Sequence, residues 1–114
     1  MNAQTTDDGF VAINYINCSA DYAERFEHLF QTRAHAIDRL PGFRQMYVLK
    51  PTSANDNYLI VSHWDSEEHF KDWTRSPAFL EGHKRGFEDL RKAKEAGARA
   101  PMQSEFKTYS ILSR

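Results

Sequence analysis

Three side chains in this chain sit where plain scaffold would not put them. Asn14 lies inside the hydrophobic run FVAINYIN, Phe10 to Asn17, where an amide is disfavoured. A buried amide must find partners or cost about 1–3 kcal/mol, so Asn14 is either satisfied by neighbouring backbone or is a donor aimed at a ligand. His83 shares roughly a 100° helical arc with Phe79, Leu80, Phe87 and Leu90. An imidazole on such an apolar stripe is either a satisfied core residue or, kept neutral, the kind of group that ligates a haem iron axially. Gly82 and Gly86 flank it, each costing about 1 kcal/mol relative to Ala in a helix interior. Absent side chains there let a flat ligand approach the helix backbone, though a frayed helix end explains them equally well. Trp73 precedes the Ser76-Pro77 pair and is, by residue type, a large core residue.

The other reactive side chains carry weaker signals. His28 and His35 fall off the apolar arc of their segment and read as solvated. His63 and His69 lie either side of Trp64 with no i, i+4 partner and no HExxH pattern. With a single cysteine there is no zinc-type cluster, so no dedicated metal-ion site is expected. That residue, Cys18, has no base beside it, which argues against a nucleophile, and being alone it excludes an internal disulfide framework and fits a reducing cytoplasm. No Ser-His-Asp signature, Gly-rich phosphate loop or dinucleotide fingerprint appears.

Composition narrows the classes further. Lys plus Arg total 15 against 16 Asp plus Glu, and a net charge of -1 argues against nucleic acid as a main partner. No run reaches the roughly 18 apolar residues of a membrane span. Residues 1–9 are polar and acidic, so they are expected to form a loose tail rather than a signal peptide. Aromatic residues make up 13% of the 114 residues, so either the core is unusually aromatic or rings line a pocket or partner surface. The stretch Lys84 to Arg99 holds six basic and three acidic residues and reads as solvated surface.

One domain over residues 10–114 accommodates these positions, without repeats or linkers. Phe10 to Asn17 alternates as a strand. A helix capped by Ser19 or Asp21 is expected to run to Leu40 and stop at Pro41-Gly42. Its apolar face carries Ala23, Phe26, Phe30, Ala34 and Ile37, with one charge, Arg33, among them. Phe43 to Lys50 and Tyr58 to Trp64 read as strands joined by a polar turn. Asp65 and Glu68 form a capping-box pattern opening a short helix, and Ser76-Pro77 starts another that extends to about Gly86 or Leu90. A last strand covers Ser104 to Leu112. The order β-α-β-β-α-β predicts an α+β, ferredoxin-like fold, an antiparallel sheet with helices on one face. In the first strand Ala12, Asn14 and Ile16 share one face and Val11, Ile13 and Tyr15 the other. Both faces are largely apolar, so a second copy is expected to cover the one the helices leave bare, making a homodimer.

The strand FVAIN with Asn14, the segment TRAHAIDRLPGF and the block VSHWDSEEHFKDWTRSPAFLEGHK resemble the IsdG-type haem-degrading monooxygenases. These belong to the antibiotic-biosynthesis-monooxygenase superfamily of dimeric α+β barrels. The resemblance covers residues 10 to 112. The PGF turn and the W-x-S-x-x-x-F pattern are shared widely in the superfamily, whereas Asn14, Trp73 and His83 together match the haem-degrading triad. The resemblance implies His83 as proximal ligand to haem iron, Asn14 as hydrogen-bond donor on the distal side, and Trp73 pressing the porphyrin out of plane. Haem would be substrate and cofactor together, with O2 and electrons from an external reductase consumed and iron released. Phe30, on the same helix side, is expected to cap the pocket wall. Arg33 either pairs with a haem propionate or snorkels at the edge of the core. Two other readings stay open: a cofactor-free monooxygenase of the same superfamily acting on an aromatic or quinone-like compound, and a non-catalytic haem-binding dimer. Propionate contacts within 87–101 stay unassigned.

Overall fold

A computed structural model describes residues 9–114. The expected tail, apart from Gly9, lies outside the described residues. β1 (Phe10–Cys18) buries every second side chain from Phe10 to Ile16, which is what its alternation requires of a strand with one covered face. α1 (Ala23–Gln31) follows after a 3-10 turn, and then β2 (Phe43–Leu49), β3 (Tyr58–Trp64), α2 (Glu67–Thr74), α3 (Pro77–Glu95) and β4 (Met102–Ser110) complete the chain. The sheet order is β2-β3-β1-β4, with every neighbouring pair antiparallel. This is the ferredoxin-like arrangement predicted from the element order.

Several boundaries differ from expectation. The first helix ends at Gln31 rather than running to Leu40. Thr32 Oγ1 bonds back to His28 O at 2.7 Å, and the Arg85 guanidinium takes Leu29 O at 2.8 Å and Thr32 O at 3.1 Å. His35 then turns the chain with φ 62°, and a 3-10 turn over Ala36–Arg39 returns Ala36 and Ile37 to the core. The second helix is capped by Ser66 rather than Asp65, its Oγ accepting from His69 N at 3.2 Å. Asp65 is instead held by Arg44 Nε at 2.6 Å. Ser76 caps α3 as expected, accepting from Phe79 N at 3.3 Å, with Pro77 in the first turn. The helix continues well past Leu90, to Glu95, where Arg91 bridges Glu88 and Glu95 along one face. Gly82 and Gly86 are therefore mid-helix, which removes the frayed-end explanation. β4 starts and ends two residues earlier than predicted, because Cys18 pairs with Met102 at the start of the ladder.

The PGF turn has a steric basis. Gly42 has φ 79°, and a Cβ there would fall 2.1 Å from the His69 ring, so a side chain is excluded twice over. Gly42 O also accepts from Asp65 N at 2.8 Å, tying the start of β2 to the end of β3.

Candidate functional site

The covered face of the sheet carries two separate aromatic clusters. Phe10, Ile37, Trp64 and Trp73 form one, and Ile16, Phe26 and Tyr58 the other. Between them the strands present small or polar side chains, Ala12 and Asn14 on β1 and Ser62 on β3, and Ala12 faces Ser62 across the ladder. Big side chains at both ends and small ones between leave a cavity of about 190 Å³ under α3. Its lining includes Asn14, Phe30, Arg33, Trp73 and His83. The fold thus brings together every candidate site residue singled out in the sequence.

His83 enters from the helix wall. Its Nδ1 is 2.7 Å from Phe79 O, and because a carbonyl only accepts, Nδ1 carries the hydrogen. Nε2 is left with its lone pair. Burial pushes the imidazole pKa down, with the Phe79 carbonyl opposing more weakly, so the ring stays neutral at neutral pH. Phe79 stacks on it at 4.1 Å and Phe87 at 5.3 Å, fixing the ring plane. Gly82 and Gly86 border the same space. A Cβ on Gly82 would meet nothing within 4 Å, and one on Gly86 only Met102 at an ordinary 3.5 Å. Their missing side chains serve no close packing and widen the cavity along the α3 backbone.

Asn14 enters from the sheet wall. It is 7% exposed, and its Oδ1 has no hydrogen-bond partner. Trp73, 8% exposed, also leaves its Nε1 buried and unpartnered. The Trp73 ring packs on Phe79 at 4.9 Å and lies 6.0 Å from the His83 ring, so it is at once a core residue and part of the cavity wall. Phe30 packs on Phe26 at 5.0 Å and forms wall as expected. Arg33 stands at the rim, half-buried, with Nη1 3.4 Å from Asp38 Oδ1. An apolar slot with one imidazole nitrogen free and two unpartnered polar atoms is built to receive a flat apolar ligand with a polar or metal centre.

A profile of the antibiotic biosynthesis monooxygenase family matches residues 9–85. This chain is a member of that family. Within it, the chain is 38% identical over 68 residues to the heme oxygenase (mycobilin-producing) of Mycobacterium tuberculosis, covering 60% of this chain. That match spans 65% of the relative's length, just under two thirds. A heme oxygenase (staphylobilin-producing) of Staphylococcus haemolyticus is 34% identical over 76 residues, 65% of this chain and 72% of the relative. The heme-degrader MhuD of Mycobacterium tuberculosis, solved with two hemes bound in its active site, superposes with a TM-score of 0.67 at 28% identity over 92% of this chain and 97% of that one.

The remaining candidates of this family member fall where their chemistry allows. His28 is exposed; His35 is exposed too, with Nδ1 3.1 Å from Asp38, yet it borders the cavity rim. His63 faces the bare side of the sheet, 3.2 Å from the Tyr47 hydroxyl. No group of three metal-ligating side chains occurs among the described residues. Burial raises the Cys18 thiol pKa, leaving it a poor nucleophile. Leu80, placed on the apolar stripe by its spacing, instead points outward at 62% exposure. Sequence reasoning missed Ser62 and Phe106 in the lining. Ser62 had a usable signal, since it stands two residues before the buried Trp64 and so shares its face.

Proposed function

We propose that this chain is a haem-degrading monooxygenase that binds haem as substrate and cofactor, opens the porphyrin ring and releases iron. The observation that carries it is the convergence of His83, its Nε2 free, with the buried unpartnered Asn14 and Trp73 on one apolar cavity. The names of the relatives point the same way. Bound haem supplies the iron at which O2 and external electrons are brought together. The chain's own residues do the rest. His83 ligates through Nε2, because its other nitrogen is committed to Phe79 O and low basicity keeps it unprotonated. Asn14 presents its side-chain amide from the opposite wall, with Oδ1 given no partner by the protein and the NH2 group as the donor toward the distal side. Trp73 forms a stiff indole wall of the cavity against which a bound macrocycle would rest. Phe30 closes the apolar side, and Arg33, whose contact with Asp38 is long, would be the residue to hold a propionate at the rim.

The working unit is a homodimer. Val11, Ile13 and Tyr15 of β1 lie on the bare sheet face with Tyr47 and Leu49 of β2 and Tyr109 of β4, the last three each more than 40% exposed. A face of that size and character is covered by a second sheet. Electrons come from an external reductase. No described helix is long and apolar enough to cross a membrane, and the lone cysteine supports a cytoplasmic setting.

The test is titration with hemin followed by absorbance, then ascorbate in air with catalase present to remove free peroxide. Saturable binding near one haem per chain, then loss of the Soret band with a new bilin-like absorbance, is the expected result. Stable bound haem, with a physiological reductase also failing, identifies a haem-binding protein. No binding moves the assignment to a cofactor-free monooxygenase.

A further inference from the structure

Trp73 has no polar anchor of its own, because its indole N–H is buried without a partner. Its orientation is set by the rings it leans on, Trp64, Phe70 and Phe79. Of these only Trp64 has a hydrogen bond to fix it; the His83 ring, anchored on Phe79 O, borders Trp73 more loosely on the cavity side at 6.0 Å. Trp64 is fully buried and donates from Nε1 to Ser62 Oγ at 2.9 Å, and its ring meets Trp73 at 5.5 Å with planes 32° apart. Ser62 is itself 5% exposed, and its hydroxyl makes one further contact, to Ala12 O at 3.5 Å. The serine lies on the cavity floor, so its small size also leaves room that a bulkier side chain would fill.

We propose that Ser62 is a positioning residue for Trp73: by holding the Trp64 indole, it sets how far Trp73 projects into the cavity. The chain of contact runs from Ser62 Oγ to Trp64 and from Trp64 to Trp73, and only its first link is directional. Without the acceptor, the Trp64 N–H is stranded in a dry interior and the indole turns to relieve it. Trp73, packed against it, turns too. The substitution Ser62→Thr keeps the acceptor while adding one methyl, whereas Ser62→Ala removes it. The effect on turnover rests on the haem-degrading reading; the effect on the indole pair does not.

The experiment uses the full chain with Ser62→Ala and Ser62→Thr. In haem-free protein, two indoles this close give an exciton couplet in far-ultraviolet circular dichroism, assigned by its loss in Trp73→Phe. Ser62→Ala is expected to lose most of that couplet, to keep hemin binding and the His83 ligation spectrum, and to open the ring about tenfold to a hundredfold more slowly. Ser62→Thr is expected to recover couplet and rate together. An unchanged couplet and rate in Ser62→Ala would overturn the proposal, as would equal losses in both variants. If the unaltered protein binds no hemin, the haem reading falls, and the couplet alone decides for or against Ser62. Should Ser62→Ala fail to fold, Ser62→Cys, a weak acceptor, takes its place with the same expected losses.

Discussion

Replacing Asn14 with Leu should make the haem-free protein more stable while slowing its chemistry. The amide is 7% exposed and its Oδ1 has no partner, a situation that costs about 1–3 kcal/mol. Leucine removes that cost, has no weaker strand preference, and directs its extra volume into the adjoining cavity of about 190 Å³ rather than into packed wall. The expected gain is therefore about 1–3 kcal/mol, and at about 4 °C per kcal/mol the melting temperature rises by roughly 4–12 °C. Thermal melts at one fixed protein concentration measure this, since subunit association shifts the midpoint. Turnover of bound haem should fall by roughly a hundredfold, the scale seen when one preorganised hydrogen bond to a reacting centre is lost. A melting temperature that drops by several degrees would mean the amide has a structural partner and is scaffold. Wild-type turnover in Asn14→Leu or Asn14→Ala would remove Asn14 from the chemistry.

Three further outcomes follow from the geometry. Because burial lowers the folded pKa of His83, the unfolded chain takes up this proton first, so stability should fall as pH drops below about 6.5 and level off below the folded value; urea melts across that range should show the drop, and His83→Phe should lessen it. Arg85→Ala should release the carbonyls of Leu29 and Thr32, costing about 1 kcal/mol and speeding amide exchange around residues 29–35, while unchanged exchange there would mean the α1 terminus holds itself. Ile13→Lys places a charge in the middle of the bare sheet face and should yield monomers by sedimentation velocity; a variant that still dimerises would put the interface elsewhere.

Much of the fold was legible because its signals are local. Period-two alternation marked β1, and Ser76-Pro77 marked the start of α3 by cap chemistry confined to one turn. The end of α1 was not legible. The apolar arc continues through Ala34 and Ile37, and no Gly or Pro interrupts it before Pro41. The break is held by Arg85, more than fifty residues away, which binds the terminal carbonyls in place of another helical turn. The Asp65 cap failed for the same reason, since Arg44 across the sheet edge engages that carboxylate and Ser66 takes over the cap. The site was readable through its anomalies, an amide in an apolar strand and an imidazole on an apolar stripe. Ser62 shares a strand face with Trp64, which the sequence shows, but its importance depends on a tryptophan ring whose position only the packing reveals.

The buried side-chain polar atoms left without partners among the described residues are concentrated in one place. They are Asn14 Oδ1 and Trp73 Nε1, and both residues line the same cavity. Two mid-helix glycines, each disfavoured by about 1 kcal/mol, border it as well, one of them facing open space. A single substitution would relieve each of these; Trp73 is held in return by its core packing, but Asn14 and the two glycines gain none. Stability alone therefore does not account for them, since sequences drift readily toward relieved positions when nothing opposes it. The ferredoxin-like scaffold does not account for them either, because a fold of this kind hosts unrelated activities. A ligand that needs an open helix face, a neutral imidazole and an unsatisfied amide accounts for the glycines, His83 and Asn14 at once.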